Sequence, residues 1–217
     1  GNWALERQTG GIEARQLLDD SGQGQWRGVL ATYIVTKTTD DGSSGTLRWA
    51  INQANATGGN IINFNLGGTG VHTITLGSAL PAITKPVIID GTTDDSFAAN
   101  GSKPAIVLNG NNSVAEILAL HAGSSGSTVR GLVIQNYTNS GLAIDNSHGN
   151  TIAGNWLGLS TDGNTAAGGS VGIYFSNAHN NVVGGATAAD RNVVSGNHWS
   201  GIAINSGSYS NVVQGNY

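Results

Sequence analysis

The chain has 217 residues, only 10% of them charged, and a formal net charge of −4. Its nine Lys and Arg are scattered, with no run able to track a phosphate backbone, which argues against a nucleic-acid partner. No apolar stretch approaches the ~20 residues that span a bilayer, and without Cys there are neither disulfides nor thiolate metal sites.

Thirty-four glycines and abundant Asn, Ser and Thr punctuate short apolar runs, the pattern of many short strands joined by tight turns. Residues 1–30 are expected to form a leader or cap segment, with a short helix over 12–18 and a flexible connection over 21–28. Residues 31–217 are expected to form the folded body. Its early strands are predicted at 33–36, 61–64, 72–76, 87–89, 106–108 and 117–120. Between the first two, Leu47, Ala50, Ile51 and Ala54 follow i, i+3, i+4, i+7 spacing after a Ser44/Thr46 start signal. That spacing predicts one amphipathic helix near 46–55, suited to covering an open sheet end.

From Ser127 onward the chain repeats. Asn150-Thr-Ile-Ala-Gly-Asn155, Asn181-Val-Val-Gly-Gly, Asn192-Val-Val-Ser-Gly-Asn197 and Asn211-Val-Val-Gln-Gly-Asn216 align with one another. A second motif interleaves with them: Gly141-Leu-Ala-Ile144, Gly172-Ile-Tyr-Phe175 and Gly201-Ile-Ala-Ile204. Apolar runs of three or four residues bounded by Gly cannot carry an amphipathic helix. Two short strands in about twenty residues therefore predict one coil of a β-solenoid. Ordering such a coil costs on the order of 20–40 kcal/mol, against roughly 6–12 kcal/mol from burying four aliphatic side chains. Coils must therefore stack, and the fold predicted is all-β: a single-stranded right-handed parallel β-helix. The recurring Asn residues are expected to take left-handed turn conformations and to form a hydrogen-bonded ladder through Asn150, Asn181, Asn192 and Asn211.

Residues 38–45, Thr-Thr-Asp-Asp-Gly-Ser-Ser-Gly, followed by Thr46-Leu-Arg-Trp-Ala-Ile-Asn-Gln-Ala-Asn55, resemble the start of bacterial CSLREA-type β-helix proteins, in which a G-S-L-R-x-A-I helix follows an early strand. The Asn192 repeat and the segments 157–166 and 186–191 are similar to the repeats that follow it there. The resemblance covers about residues 31–217, with Thr46 and Trp49 as departures. It implies a pectin-lyase-like, right-handed parallel β-helix on a large secreted or surface-anchored bacterial protein, and it supplies no catalytic residues. The Gly start, the absence of Met and the stop part-way through a repeat lead us to expect a fragment, with further coils in a longer parent.

Two function classes are open. The first is a non-catalytic extracellular module, structural or adhesive, that binds polysaccharide or cell-surface glycan. The alternative is a polysaccharide lyase or glycoside hydrolase. Hydrolysis needs two carboxylates about 5–10 Å apart. Asp145 is the only acid in its column, with Ser176 and Asn205 in the equivalent places. Asp90, Asp94 and Asp95 read as a turn with an exposed loop, and as a catalytic or calcium site in the alternative. A lyase needs a base, and the repeats offer Arg130, Arg191, His148, His179 and His198. Arg191 is expected to pair with Asp190. No metal-ligand spacing links the histidines, so neither metal nor cofactor is expected.

The binding candidates are aromatic, because flat rings stack on sugars. Trp156 is expected to point outward, with His198 and Tyr217 in its column by repeat alignment, and Trp199 and Tyr174 beside it. The competing expectation is that this column packs under the long inserted loops. Ice binding would need regular outward Thr arrays, which the repeats lack. A surface groove holding two carboxylates, or an acid with an Arg or Lys, on adjacent coils would mark an enzyme.

Overall fold

The computed structural model describes residues 30–205 and 207–217; the expectations for 1–29 lie outside the described residues. The chain begins with strand β1 (Thr32–Val35), helix α1 (Leu47–Thr57), β2 (Asn60–Phe64), β3 (His72–Thr75) and β4 (Val87–Asp90). After the short helix α2 (Asp95–Ala99) come β5 (Ile106–Asn109), β6 (Glu116–Leu120), β7 (Thr128–Arg130), β8 (Leu132–Gln135) and β9 (Ser140–Asp145). The repeats supply β10 (Thr151–Ala153), β11 (Trp156–Leu157), β12 (Val171–Ser176), β13 (Val182–Gly184), β14 (Val193–Val194), β15 (Ser200–Ile204) and β16 (Val212–Gln214). All six predicted early strands are present, within a residue or so of their expected ends.

These strands form three parallel sheets. Sheet A is ordered β1-β2-β4-β7-β10-β13-β16, sheet B β3-β5-β8-β11-β14 and sheet C β6-β9-β12-β15. From β7 onward the chain visits A, B and C in rotation, so each circuit adds one strand to every sheet. Such parallel neighbours cannot be joined by a two-residue hairpin; each needs a long connection, here supplied by the other two sheets.

Register keeps like side chains in columns. Ile62, Ile89, Val129, Ile152 and Val183 are partners in sheet A; Leu108, Ile134, Leu157 and Val194 in sheet B; Leu142, Ile173 and Ile202 in sheet C. Nearly all of these are fully buried, and they meet in one continuous core. Fully burying each aliphatic side chain contributes about 1.5–3 kcal/mol.

The circuit is longer than the sequence suggested. Equivalent asparagines are 31 and 30 residues apart, and a circuit holds three strands rather than two. The short spacing came from aligning Asn192 with Asn150, Asn181 and Asn211. Asn192 precedes a sheet B strand, whereas the other three precede sheet A strands.

There are accordingly two Asn ladders. In one, the Asn181 Oδ1 accepts from the Asn150 backbone N–H at 2.9 Å and from its side-chain amide at 2.8 Å, and Asn211 does the same for Asn181. In the other, Asn155 donates to Asn192, and Asn192 to Asn216. None of these asparagines is left-handed. The positive φ values fall on Asn146, Gly149, Asn177, Asn180 and Ser210, just upstream of the first ladder. The ladder Asn is thus chosen for its amide, which satisfies the stacked corner N–H groups.

Helix α1 forms where it was predicted. Thr46 caps it, accepting from the Trp49 N–H, and Leu47, Ala50, Ile51 and Ala54 are its buried face, packed on β1 and β2. No helix among the described residues is long and apolar enough to cross a membrane.

Candidate functional site: a cleft at the corner between sheets A and B

Sheet A hands the chain to sheet B through corners of unequal length. After β7 and β10 the corners are tight, running Arg130-Gly131-Leu132 and Ala153-Gly154-Asn155-Trp156. Gly131 has φ +72°, and a Cβ there would stand 2.6 Å from Thr92 Cγ2, so only glycine lets these corners nest. After β4 and β13 the corners are inserted instead. Residues 91–105 carry α2, and residues 185–192 carry a 3-10 turn, Ala188–Asp190.

In the order of sheet A, two short corners lie between two long ones. The short corners make a floor, and the insertions make walls three strand spacings apart, roughly 14 Å. The result is a cleft of about 700 Å³. Phe97, Lys103 and Pro104 line it from one wall and Ala188, Asp190 and Arg191 from the other. Arg130 and Trp156 stand on its floor, and Tyr217 closes the far side.

Trp156 and Tyr217 do share a column, as the sequence indicated. Trp156 is the partner of Val193, and Tyr217 bonds through its backbone to Asn192 and Val194 on the next strand. Trp156 is half-buried, because its ring edge abuts Gly163 in the inserted hairpin that follows β11. The loop thus covers one edge of the ring, as the packing expectation had it, and the rest of the side chain lines the cleft.

The other aromatic candidates lie elsewhere. His198 is not in the Trp156 column. Its N–H donates to Gly169 at the turn before β15, because Asn197-His198 follows a sheet B strand and not a sheet A one. Trp199, beside it, is 81% exposed. Tyr174 projects from sheet C, where its hydroxyl accepts from the Asn205 amide at 2.8 Å. The five candidates are thus distributed over three places.

The charges on the cleft are specific in position. Of the six Lys and Arg among the described residues, Lys103, Arg130 and Arg191 line it; of the nine Asp and Glu, Asp190 alone does. Arg130, at the end of β7, is ion-paired with Asp90, its neighbour on β4. Half of the Arg130 side chain stays exposed, while Asp90 is buried beneath it. Burial raises the Asp90 pKa, but hydrogen bonds from Arg130 and Thr92 outweigh it and hold the carboxyl below its ordinary value. Asp190 is also held low, by hydrogen bonds from the Thr187 hydroxyl and N–H.

Arg191 does not pair with Asp190, contrary to the expectation from their adjacency. Its guanidinium lies over the Tyr217 ring, 5.2 Å from the centroid, and donates to the Tyr217 hydroxyl. Asp190 is engaged instead by its capping bonds to Thr187.

The Asp90-Asp94-Asp95 cluster is not an exposed loop. Asp94 is buried, accepting from the N–H groups of Leu66 and Ser96, with His72 at 3.7 Å. Only Asp95 faces solvent. Among the described residues no group of three or more His, Asp or Glu could hold a metal ion. Sequence reasoning also missed a second aromatic column. His148 and His179 stack at 3.6 Å and His179 and Tyr209 at 4.6 Å, on the turn from sheet C to sheet A. The His179–Asn181 and Tyr209–Asn211 offsets match, and that equality was the available signal.

No protein-family model matches the chain, and a search of the curated proteins finds none similar to it.

Proposed function

We propose that the chain is a right-handed parallel β-helix module, secreted or surface-borne, which holds a glycan in the A–B corner cleft without turning it over. The rotation of the chain through sheets A, B and C supports the solenoid. Its handedness follows from the rule that parallel crossovers are right-handed in about 98% of cases. Helix α1, laid on the first two strands of sheet A, serves as the N-terminal cap. The extracellular location rests on the resemblance of residues 38–55 to CSLREA-type proteins.

The observation that carries the binding reading is the cleft itself, with Trp156 and Tyr217 in one column of it. Aromatic faces flanked by hydrogen-bonding groups suit sugar rings. One observation favours the enzyme alternative: Asp90 and Arg130 place an acid and an arginine on adjacent strands. Yet Asp90 Oδ1 is occupied by Thr92 and Oδ2 by Arg130. A general acid needs a raised pKa, and Asp90 beneath Arg130 and Asp190 on the wall are both held low. Binding without turnover is the better fit.

A glycan array combined with an activity screen on acidic polysaccharides tests this. Binding without product is expected, and Trp156→Ala should weaken it about tenfold, the equivalent of ~1.4 kcal/mol. Release of unsaturated or reducing-end products would establish the enzyme instead. An array with no bound glycan would remove the binding reading.

A further inference from the structure

The geometry points to an anionic glycan as the ligand of this cleft, with Lys103, Arg130 and Arg191 contacting its acidic groups; this rests on the glycan reading above. Half of the basic residues among the described ones converge on one cleft of a chain whose net charge is negative. The single acid lining it is already engaged with Thr187. The three cations come from three separate circuits. Lys103 is in the insertion after β4, Arg130 ends β7, and Arg191 follows the 3-10 turn after β13. They stand on both walls and the floor, so they address several points along a bound chain.

The two arginines are held differently, and each keeps donors free. Arg130 is buttressed from below by Asp90, which orients its guanidinium while leaving half the side chain exposed. A guanidinium has five N–H donors, and the bond to Asp90 uses one nitrogen. Arg191 lies over the Tyr217 ring and donates to its hydroxyl through one nitrogen, so it is held at the cleft with its other donors unused among the described residues. Carboxylate and sulfate both match a planar fork of donors. The shared chemistry is therefore an oxyanion on a pyranose, flanked by Trp156 and Tyr217 as stacking surfaces. A single-stranded nucleic acid also combines anions with stackable rings. Three cations in one short cleft, on an acidic protein, lack the extended basic track that ligand needs.

Affinities of the full chain for polygalacturonate, dextran sulfate, neutral dextran and oligo(dT), at low and physiological salt, test the inference. An acidic polysaccharide should bind at least about tenfold more tightly than dextran, and salt should weaken it. The polygalacturonate and dextran sulfate arms distinguish carboxylate from sulfate. Lys103→Glu and Arg191→Glu, neither of which strips a partner from a buried acid, should each lower acidic-glycan affinity by roughly tenfold and leave thermal unfolding unchanged. Arg191→Lys should retain part of it. Dextran bound as tightly as the acidic polymers, and unaffected by these variants, overturns the inference while the glycan reading stands. Failure of every polysaccharide, or tighter binding of oligo(dT), overturns both.

Discussion

At the scale of single residues, the buried asparagines are the most consequential polar groups in the molecule. Asn181 has no exposed surface, and its Oδ1 receives both the backbone N–H and the side-chain amide of Asn150. Asn181→Ala leaves that N–H and the Asn150 amide buried without their acceptor, and it removes one of the two donors to the Asn211 side-chain carbonyl, which keeps the backbone N–H of residue 181. Destabilisation of roughly 2–4 kcal/mol is expected from these losses. Asn211→Ala should cost less, because the site is part-exposed. Urea denaturation of the two variants provides the measurement; a change below about 0.5 kcal/mol for Asn181→Ala would show that water replaces the amide. The buried Asp90, paired with the half-exposed Arg130, gives a second expectation. Because the Asp90 pKa is lowered on folding, the unfolded chain binds more protons at acid pH, so stability rises with pH across that window. Its contribution is complete above ~pH 4 and is lost as pH falls through the folded value. Asp90→Asn should flatten that acid limb in denaturation curves taken from neutral to acid pH. An unchanged limb would place the acid sensitivity elsewhere.

At the scale of elements, the repeats show which features a sequence can and cannot reveal. Strand positions were legible because each is a short apolar run bounded by turn residues, and β2 to β6 lie where those runs do. Helix α1 was legible because Leu47, Ala50, Ile51 and Ala54 keep one face, and those four are its buried residues. The assignment of strands to sheets was not legible. Asn-Val-Val occurs before β13, β14 and β16, yet β14 belongs to sheet B. Both corners need the same Asn amide, so the motif is identical while the geometry differs. That ambiguity displaced His198 into the wrong column and hid the cleft, whose walls are defined only once the insertions are known to follow sheet A strands. Trp156, Arg130 and Arg191 were each conspicuous alone, and only register brings them together. For α1 a direct test exists. The Thr46 side chain is buried, donates to the Ser43 carbonyl at 2.8 Å and caps the Trp49 N–H. Thr46→Ala should cost ~1 kcal/mol, and Thr46→Ser should restore most of it. Equal losses for the two substitutions would show that the methyl packing matters and the cap does not.

At the scale of the whole molecule, stacking makes stability a local property that varies along the sheet axis. Each circuit contacts only its neighbours, so protection depends on having one on both sides. Strands β9 and β12 have partners on both edges and are almost wholly buried. Strands β15 and β16 are the last in their sheets, and Ile204, Val212 and Val213 are 47%, 44% and 45% exposed. By contrast, α1 covers β1 and β2 with its buried face, while among the described residues nothing comparable covers β15 and β16. Amide hydrogen exchange should reflect this asymmetry. The slowest amides should lie in β9 and β12, and exchange should quicken through β13 to β16, whereas β1 and β2 stay protected beneath α1. The described residues by themselves leave the outer edges of β15 and β16 unpaired beside exposed aliphatic side chains, the arrangement that recruits further strands. Concentration-dependent self-association of the chain should accompany the fast exchange, and Val212→Lys, on the exposed β16, should suppress it without altering protection in β9 and β12. Uniform protection from β1 to β16 would mean that the sheets unfold as one cooperative unit, and the nearest-neighbour picture would fail.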